Sequence, residues 1–273
     1  MCSQQLDYLN EKARLIRRNT FEMVITAGKG HLGGSLSCTE ILVALYYGGI
    51  LRFYPINPRW DDRDIFILSK GHANNSLFVV LADLGFFPVS ELANFSKNGS
   101  MLCQHCDPQV PGIETISGSL GHGLGIASGI ALGKKLQGKN NLVFVLMGDG
   151  ECQEGSVWEA AMFASHHHLD NLIAFIDRNR LSSEEFTENT SHLEPLEDKW
   201  KAFGWNVKTV NGHSIEELLT AMDGCRTSRT GMPLMIIANT IKGKGISSLE
   251  NLPRSHHTVP KGEEIIKARE ELS

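Results

Sequence analysis

Apolar residues fall into two alternating rhythms along this chain. Short unbroken apolar runs at 142–147, 172–176 and 234–238 read as buried strands of a parallel sheet, and 206–210 and a short run at 64–68 join them. Between them, apolar positions recur at helical spacing. Leu6, Leu9, Ala13, Ile16 and Thr20 share one face of a helix over 6–26, ended by Gly28 and Gly30, which open a loop. Further helices are predicted at 39–47, 75–84, 119–136, 155–168, 195–203 and 214–223. The stretch 85–111 lacks clear periodicity and is expected to cap the sheet edge. Strand–helix alternation of this kind predicts an α/β fold, a parallel sheet with helices on both faces. No internal repeat or linker-like tract divides the chain, so one domain over 1–273 is expected.

Two of these strands end in groups that carry chemistry. The 142–147 run leads into Gly148-Asp149-Gly150, and the 172–176 run into Asp177-Arg178-Asn179. Open α/β sheets bind ligands in the crevice beyond the carboxyl ends of their strands. An aspartate carboxylate, an asparagine amide oxygen and a nearby main-chain carbonyl, for which Leu181 is placed, make an oxygen donor set for a hard divalent cation such as Mg²⁺. Such ions are often shared with a diphosphate, and the glycines beside Asp149 let the backbone approach it closely. A helix starting near Glu151 or Glu154 would then point its N-terminus at the anion.

Composition narrows the possibilities. The chain has 273 residues, 41% of them hydrophobic, enough for a large α/β core. Its net charge of −5 is spread along the sequence, and no basic tract points to nucleic acid. No apolar run is long enough to span a membrane, and the polar N-terminus lacks a signal-peptide core, so a cytoplasmic location is expected. The six cysteines suit that compartment without a disulfide framework. Cys103, His105 and Cys106 are too few for structural zinc, with no second pair at ligand spacing. His166, His167 and His168 read as a solvated helix end. The P-loop signature is absent.

The stretch from Gly148 through Trp158, continuing to Leu169-Asp170-Asn171 and Asn179, resembles the thiamine diphosphate motif of transketolases. So do Gly30-His31-Leu32-Gly33-Gly34, Leu68-Ser69-Lys70-Gly71-His72, Ser117-Gly118-Ser119-Leu120-Gly121, and Lys242-Gly243-Lys244-Gly245 followed by His256. The resemblance runs from about residue 10 to the C-terminus. It implies thiamine diphosphate and Mg²⁺, or another divalent cation, as cofactors. Asp149, Asn179 and Leu181 would hold the metal. His72, Gly118, Ser119, Leu120, Gly150, Glu154, Asn179, Lys242 and His256 would contact the cofactor, with Leu120 wedged beneath it and Glu154 at a subunit contact. His31, His105 and His256 would be catalytic, facing the sugar's carbonyl and hydroxyls. Imidazoles can donate to, accept from and stabilise an oxygen whose charge changes as a carbon–carbon bond breaks. One departure is His122, where many transketolases carry glutamine.

In that family a second domain binds the pyrimidine end of the cofactor and supplies an activating glutamate. No region here is left over for it. The resemblance therefore implies the N-terminal subunit of a split transketolase, inactive alone, joined to a separate C-terminal subunit in a heterotetramer acting on sugar phosphates. Alternatives are the alpha-type subunit of a 2-oxo-acid dehydrogenase, a deoxyxylulose-phosphate synthase-like subunit, or a non-catalytic regulatory subunit with the same fold.

Overall fold

The computed structural model describes residues 3–273. Five strands, β1 (Ile65–Leu68), β2 (Val143–Gly148), β3 (Leu172–Arg178), β4 (Asn206–Asn211) and β5 (Leu234–Asn239), form one sheet in the order β1-β2-β3-β5-β4. Every pairing is parallel. The chain thus steps outward from β1 to β4, and β5 returns to fill the gap beside β3.

Side-chain alternation splits the sheet into two cores. Phe66, Leu68, Phe144, Leu146, Phe175 and Ile236 face one side. There they meet α1 (Ser3–Ala27), α3 (Thr39–Tyr47), α4 (Asn74–Asp83) and α9 (Ile215–Met222). Ile65, Ile67, Val143, Val145, Met147 and Ile176 face the other. They are covered by α5 (Gly123–Leu136), α6 (Gly155–His166) and α8 (Leu196–Ala202), with Trp200 fully buried. Burial on both faces is why β1, β2 and β3 are apolar without alternation. The edge strand β4 is only partly covered and correspondingly polar.

The predicted strands are all present, most extended by one or two residues at their ends. Five features depart from the sequence reading. A short helix, α2 (Leu32–Ser37), occupies a stretch whose glycines read as loop. Its Gly33-Gly34 pair masks the helical pattern, and burial of the whole element supplies the stability that propensity lacks. The helix expected from residue 119 begins at Gly123, because Gly121 turns the chain at φ 83°. A C-terminal helix, α10 (Glu263–Glu271), adds to the predicted set, and α7 (Thr187–Thr190) is a single turn. Residues 85–111 contain a 3-10 turn (Val89–Asn94) packed on α4 and α1, and contribute Phe86, Phe87, Phe95 and Leu102 to the first core. No helix among the described residues is long and apolar enough to cross a membrane.

Candidate active site

A cavity of about 420 Å³ opens beyond the carboxyl ends of β1, β2, β3 and β5. Each strand delivers polar groups to it directly. Lys70 and His72 follow β1, Asp149 and Gly150 follow β2, Asn179 and Leu181 follow β3, and Lys242 follows β5. Loops close the mouth. They bring His31 from the turn before α2, His105 and Leu120 from the 101–122 region, and His256 and His257 from a 3-10 turn (Pro253–His256) and its end.

Asp149 is 1% exposed. Its carboxylate accepts the Gly150 amide at 2.8 Å, the Arg180 amide, and the Arg178 guanidinium at 3.2 Å. Burial and the neighbouring Asp177 charge still push its carboxyl up to about 6, against the pull of Arg178. A divalent cation at this position would relieve that imbalance. Asn179 donates to Asp177 at 3.1 Å and accepts the Leu181 amide at 3.1 Å, which fixes the turn after β3. Lys242 is buried beside the same wall and donates to the Ser182 carbonyl. Burial draws its ammonium down to about 8.

The histidines form one cluster. His31 and His72 have ring centroids 5.6 Å apart, His72 and His256 4.7 Å, His31 and His105 6.1 Å. Burial, then the nearby His257 and His105, draw His31 down to about 4. Burial and Lys242 draw His256 down to about 3, and burial with His256 takes His72 well below its ordinary value. These three imidazoles are therefore neutral at pH 7.

Two residues expected at the cofactor, Ser119 and Glu154, are not among those lining the cavity. Ser119 is exposed and bonds to His122 Nδ1 at 3.3 Å. Glu154 is an exposed residue at the N-cap position of α6, beside Gly121, and its side chain makes no capping bond. The helix expected to start near Glu151 or Glu154 is present, in two parts. A 3-10 turn (Gly150–Gln153) follows Asp149, with the Gly150 amide taken by Asp149, and α6 starts at Gly155 after Glu154 at its N-cap position. Gly118 and Leu120, by contrast, line the wall, and Gly118 (φ 140°) lies against the His105 ring. Cys103, His105 and Cys106 do not converge as a ligand set among the described residues.

Sequence reasoning missed the groups that brace the site. Buried Lys70 pairs with Asp177, which also accepts from Ser37, Thr240 and Asn179. Glu151 accepts from Ser69, from the Gly121 amide at 2.8 Å and from the Gly148 amide at 3.1 Å, joining three cavity segments. On the β5 side, Arg17 pairs with Glu40 and Glu40 accepts from His213 Nδ1 at 2.9 Å. His213 Nε2 in turn accepts the Ile241 amide at 2.8 Å, next to Lys242. A charged residue at the end of a buried strand needs a partner, so Asp177 was the available signal.

The donor set suits a diphosphate with a hard cation. Two buried cations, Lys70 and Lys242, and the under-compensated Asp149 share one wall, and His72 Nε2 sits over the bare backbone of Gly34. A parallel α/β fold with a cavity lined by buried lysines, a buried aspartate and histidines beyond its strand ends is thus defined. The chain belongs to the transketolase family: the family model for the transketolase thiamine diphosphate-binding domain matches residues 9–273. It is 44% identical to the 6-deoxy-6-sulfo-D-fructose transketolase subunit SqwG of Clostridium sp. strain MSTE9, over 94% of this chain and 93% of that protein. An apulose-4-phosphate transketolase subunit from Phocaeicola vulgatus is 40% identical over 98% of this chain and 95% of its own. The crystal structure of Campylobacter jejuni transketolase superposes with a TM-score of 0.90 at 35% identity, covering 100% of this chain and 43% of the longer one. The chain therefore spans under half the length of that solved transketolase, and nearly all of the two curated subunits.

Proposed function

We propose that this chain is the N-terminal, thiamine diphosphate-binding subunit of a two-subunit transketolase, moving a two-carbon ketol unit from a ketose to an aldose. The observation that carries this is the convergence of Asp149, Asn179, His72 and Lys242 beyond the strand ends, beneath the His31, His105 and His256 cluster. The family match and the two end-to-end relatives, both named as transketolase subunits, support it. We read residues 1–273 as one domain.

Asp149, Asn179 and Leu181 would hold Mg²⁺, and His72, Gly118, Leu120, Gly150 and Lys242 the cofactor. Thiamine diphosphate supplies the electron sink for carbon–carbon cleavage. The chain's own groups supply charge and proton handling. Lys242 balances diphosphate charge, and Lys70 holds the wall from within. His31, His105 and His256, facing the cavity mouth, can accept the sugar hydroxyl proton and hydrogen-bond the oxygen on which charge develops. Glu154, on the surface at the start of α6, suits a subunit contact better than a cofactor contact, and Ser119 has no assigned part.

The partner would be a separate C-terminal subunit, with two copies of each chain in a heterotetramer, located in the cytoplasm. The relatives of matching length are named for a sulfonated ketose and a phosphorylated one. We assign this chain a ketose carrying a terminal anion, with pentose phosphates the first to assay. The test is co-expression with a C-terminal transketolase subunit. Transfer from xylulose 5-phosphate to ribose 5-phosphate should need both chains, Mg²⁺ and thiamine diphosphate, and should vanish in Asp149→Ala. Turnover by the single chain would refute the split arrangement.

A further inference from the structure

We propose that His31, His256 and His257 form a second cation site in the same cavity, selective for a borderline transition ion of the Zn²⁺ class. One ring nitrogen from each residue lies within 4.8 Å of the other two. No other trio of histidine, cysteine or carboxylate groups among the described residues converges in this way.

Ring arrangement supports the assignment. Three imidazoles around one tetrahedral Zn²⁺ at its usual bond length have nitrogens about 3.4 Å apart and ring centroids roughly 5 Å apart. Here the centroids are 5.4 Å (His31–His256), 5.1 Å (His31–His257) and 4.4 Å (His256–His257). The interplanar angles of 73°, 61° and 78° make the rings edge-on rather than stacked. His31 is 7% exposed, and its Nδ1 is buried with no hydrogen-bond partner among the described residues. An unsatisfied buried nitrogen costs free energy that a ligated one does not.

The ligand types separate this site from the one at Asp149. Imidazole suits Zn²⁺, whereas Mg²⁺ seeks oxygen. A three-histidine set also leaves a fourth position open, and all three residues line the cavity. An ion held there would obstruct the sugar's path to the cofactor, a consequence that rests on the function proposed above. The binding itself rests on the histidines alone.

The test uses the full chain, stripped with chelator and titrated with Co²⁺ and Zn²⁺. Stoichiometric binding with the visible band of four-coordinate Co²⁺ is expected, unaffected by excess Mg²⁺. His257→Ala, which alters an exposed residue outside the proposed catalytic set, should weaken Zn²⁺ by about tenfold or more. Asp149→Ala should leave it unchanged. Equal affinity in His257→Ala, or loss of binding in Asp149→Ala, would overturn the site, as would absence of stoichiometric binding. Mg²⁺-dependent thiamine diphosphate binding, measured on the same preparations, reports separately on the proposed function. Its failure would leave a positive Zn²⁺ result standing.

Discussion

Lys70 and Asp177 form a buried ion pair that ties the end of β1 to the end of β3 across the end of β2. Their side chains are 2% and 0% exposed. Lys70 also donates to the Gly34 carbonyl at 2.8 Å, so one ammonium braces α2 against the sheet. Burial opposes charge on both groups. The attraction between them outweighs it, holding Lys70 above and Asp177 below its ordinary value. Breaking such a pair from one side leaves an uncompensated buried charge. Lys70→Met should therefore destabilise the chain by about 3–5 kcal/mol in denaturant unfolding. Lys70→Met with Asp177→Asn should recover part of that loss. A double variant as unstable as the sum of the singles would show that the pair is not coupled.

Asp149 should make the metal-free chain less stable as pH rises through the mildly acidic range. Its carboxyl is pushed up to about 6 from 3.8. The folded chain thus keeps a proton that the unfolded chain gives up. This contribution is full below about pH 3.8 and is lost as pH rises to about 6. Relative to Asp149→Asn, the wild type should lose on the order of 1–3 kcal/mol across that window. Mg²⁺ with thiamine diphosphate should raise the wild-type Tm at pH 7.5 and leave the variant unmoved. Parallel pH profiles for the two proteins would refute the assignment.

The histidine cluster acts with the opposite sign over much of the same range. His31 is drawn down to about 4 and His256 to about 3 from 6.5. The unfolded chain takes up these protons first as pH falls. Their contribution to stability is full above about pH 6.5 and is lost as pH falls towards 4. His31→Gln should flatten this acid limb in thermal melts. An acid limb as steep as the wild type's would mean that His31 titrates normally.

The central strands were legible because burial on both faces writes itself as unbroken apolar runs. Asp149 and Asn179 were legible because they stand where those runs stop. What stayed hidden depends on pairing across the fold. Lys70 and Asp177 sit 107 positions apart, and nothing local to either shows that one neutralises the other. Glu151 read as the start of a helix, and its bonds to Ser69 and Gly121 exist only because β1 and β2 are neighbours. Leu32–Ser37 carries two glycines and no amphipathic stripe, so only complete burial explains its helix. Glu154 and Ser119 show the converse. Lying within a motif does not by itself put a residue in the cavity lining, and neither of these exposed residues is part of it.

Gly33 sets the distance between the two loops that carry the histidines. A Cβ there would lie 2.7 Å from both the carbonyl oxygen and the hydroxyl of Ser255, the residue before His256. The Gly33 carbonyl also accepts the Gly243 amide at 3.0 Å, next to Lys242. Gly33→Ala must push the 253–256 turn away from α2, because the obstructing atoms include backbone. Overpacking of this kind costs roughly 1–3 kcal/mol. The larger effect should fall on catalysis, since a displacement of about an ångström in a positioned group can cost on the order of a hundredfold in rate. Asp149 and Asn179 lie at the strand ends and keep their places. We therefore expect Gly33→Ala, paired with the C-terminal subunit, to retain Mg²⁺-dependent cofactor binding by calorimetry while losing most of its turnover. Gly28→Ala is the control: it also alters a glycine near α2, at φ 66°, but a Cβ there meets nothing within 4 Å. It should cost some stability and little turnover, and equal loss of turnover in both variants would show that the spacing of the histidine loops does not set the rate.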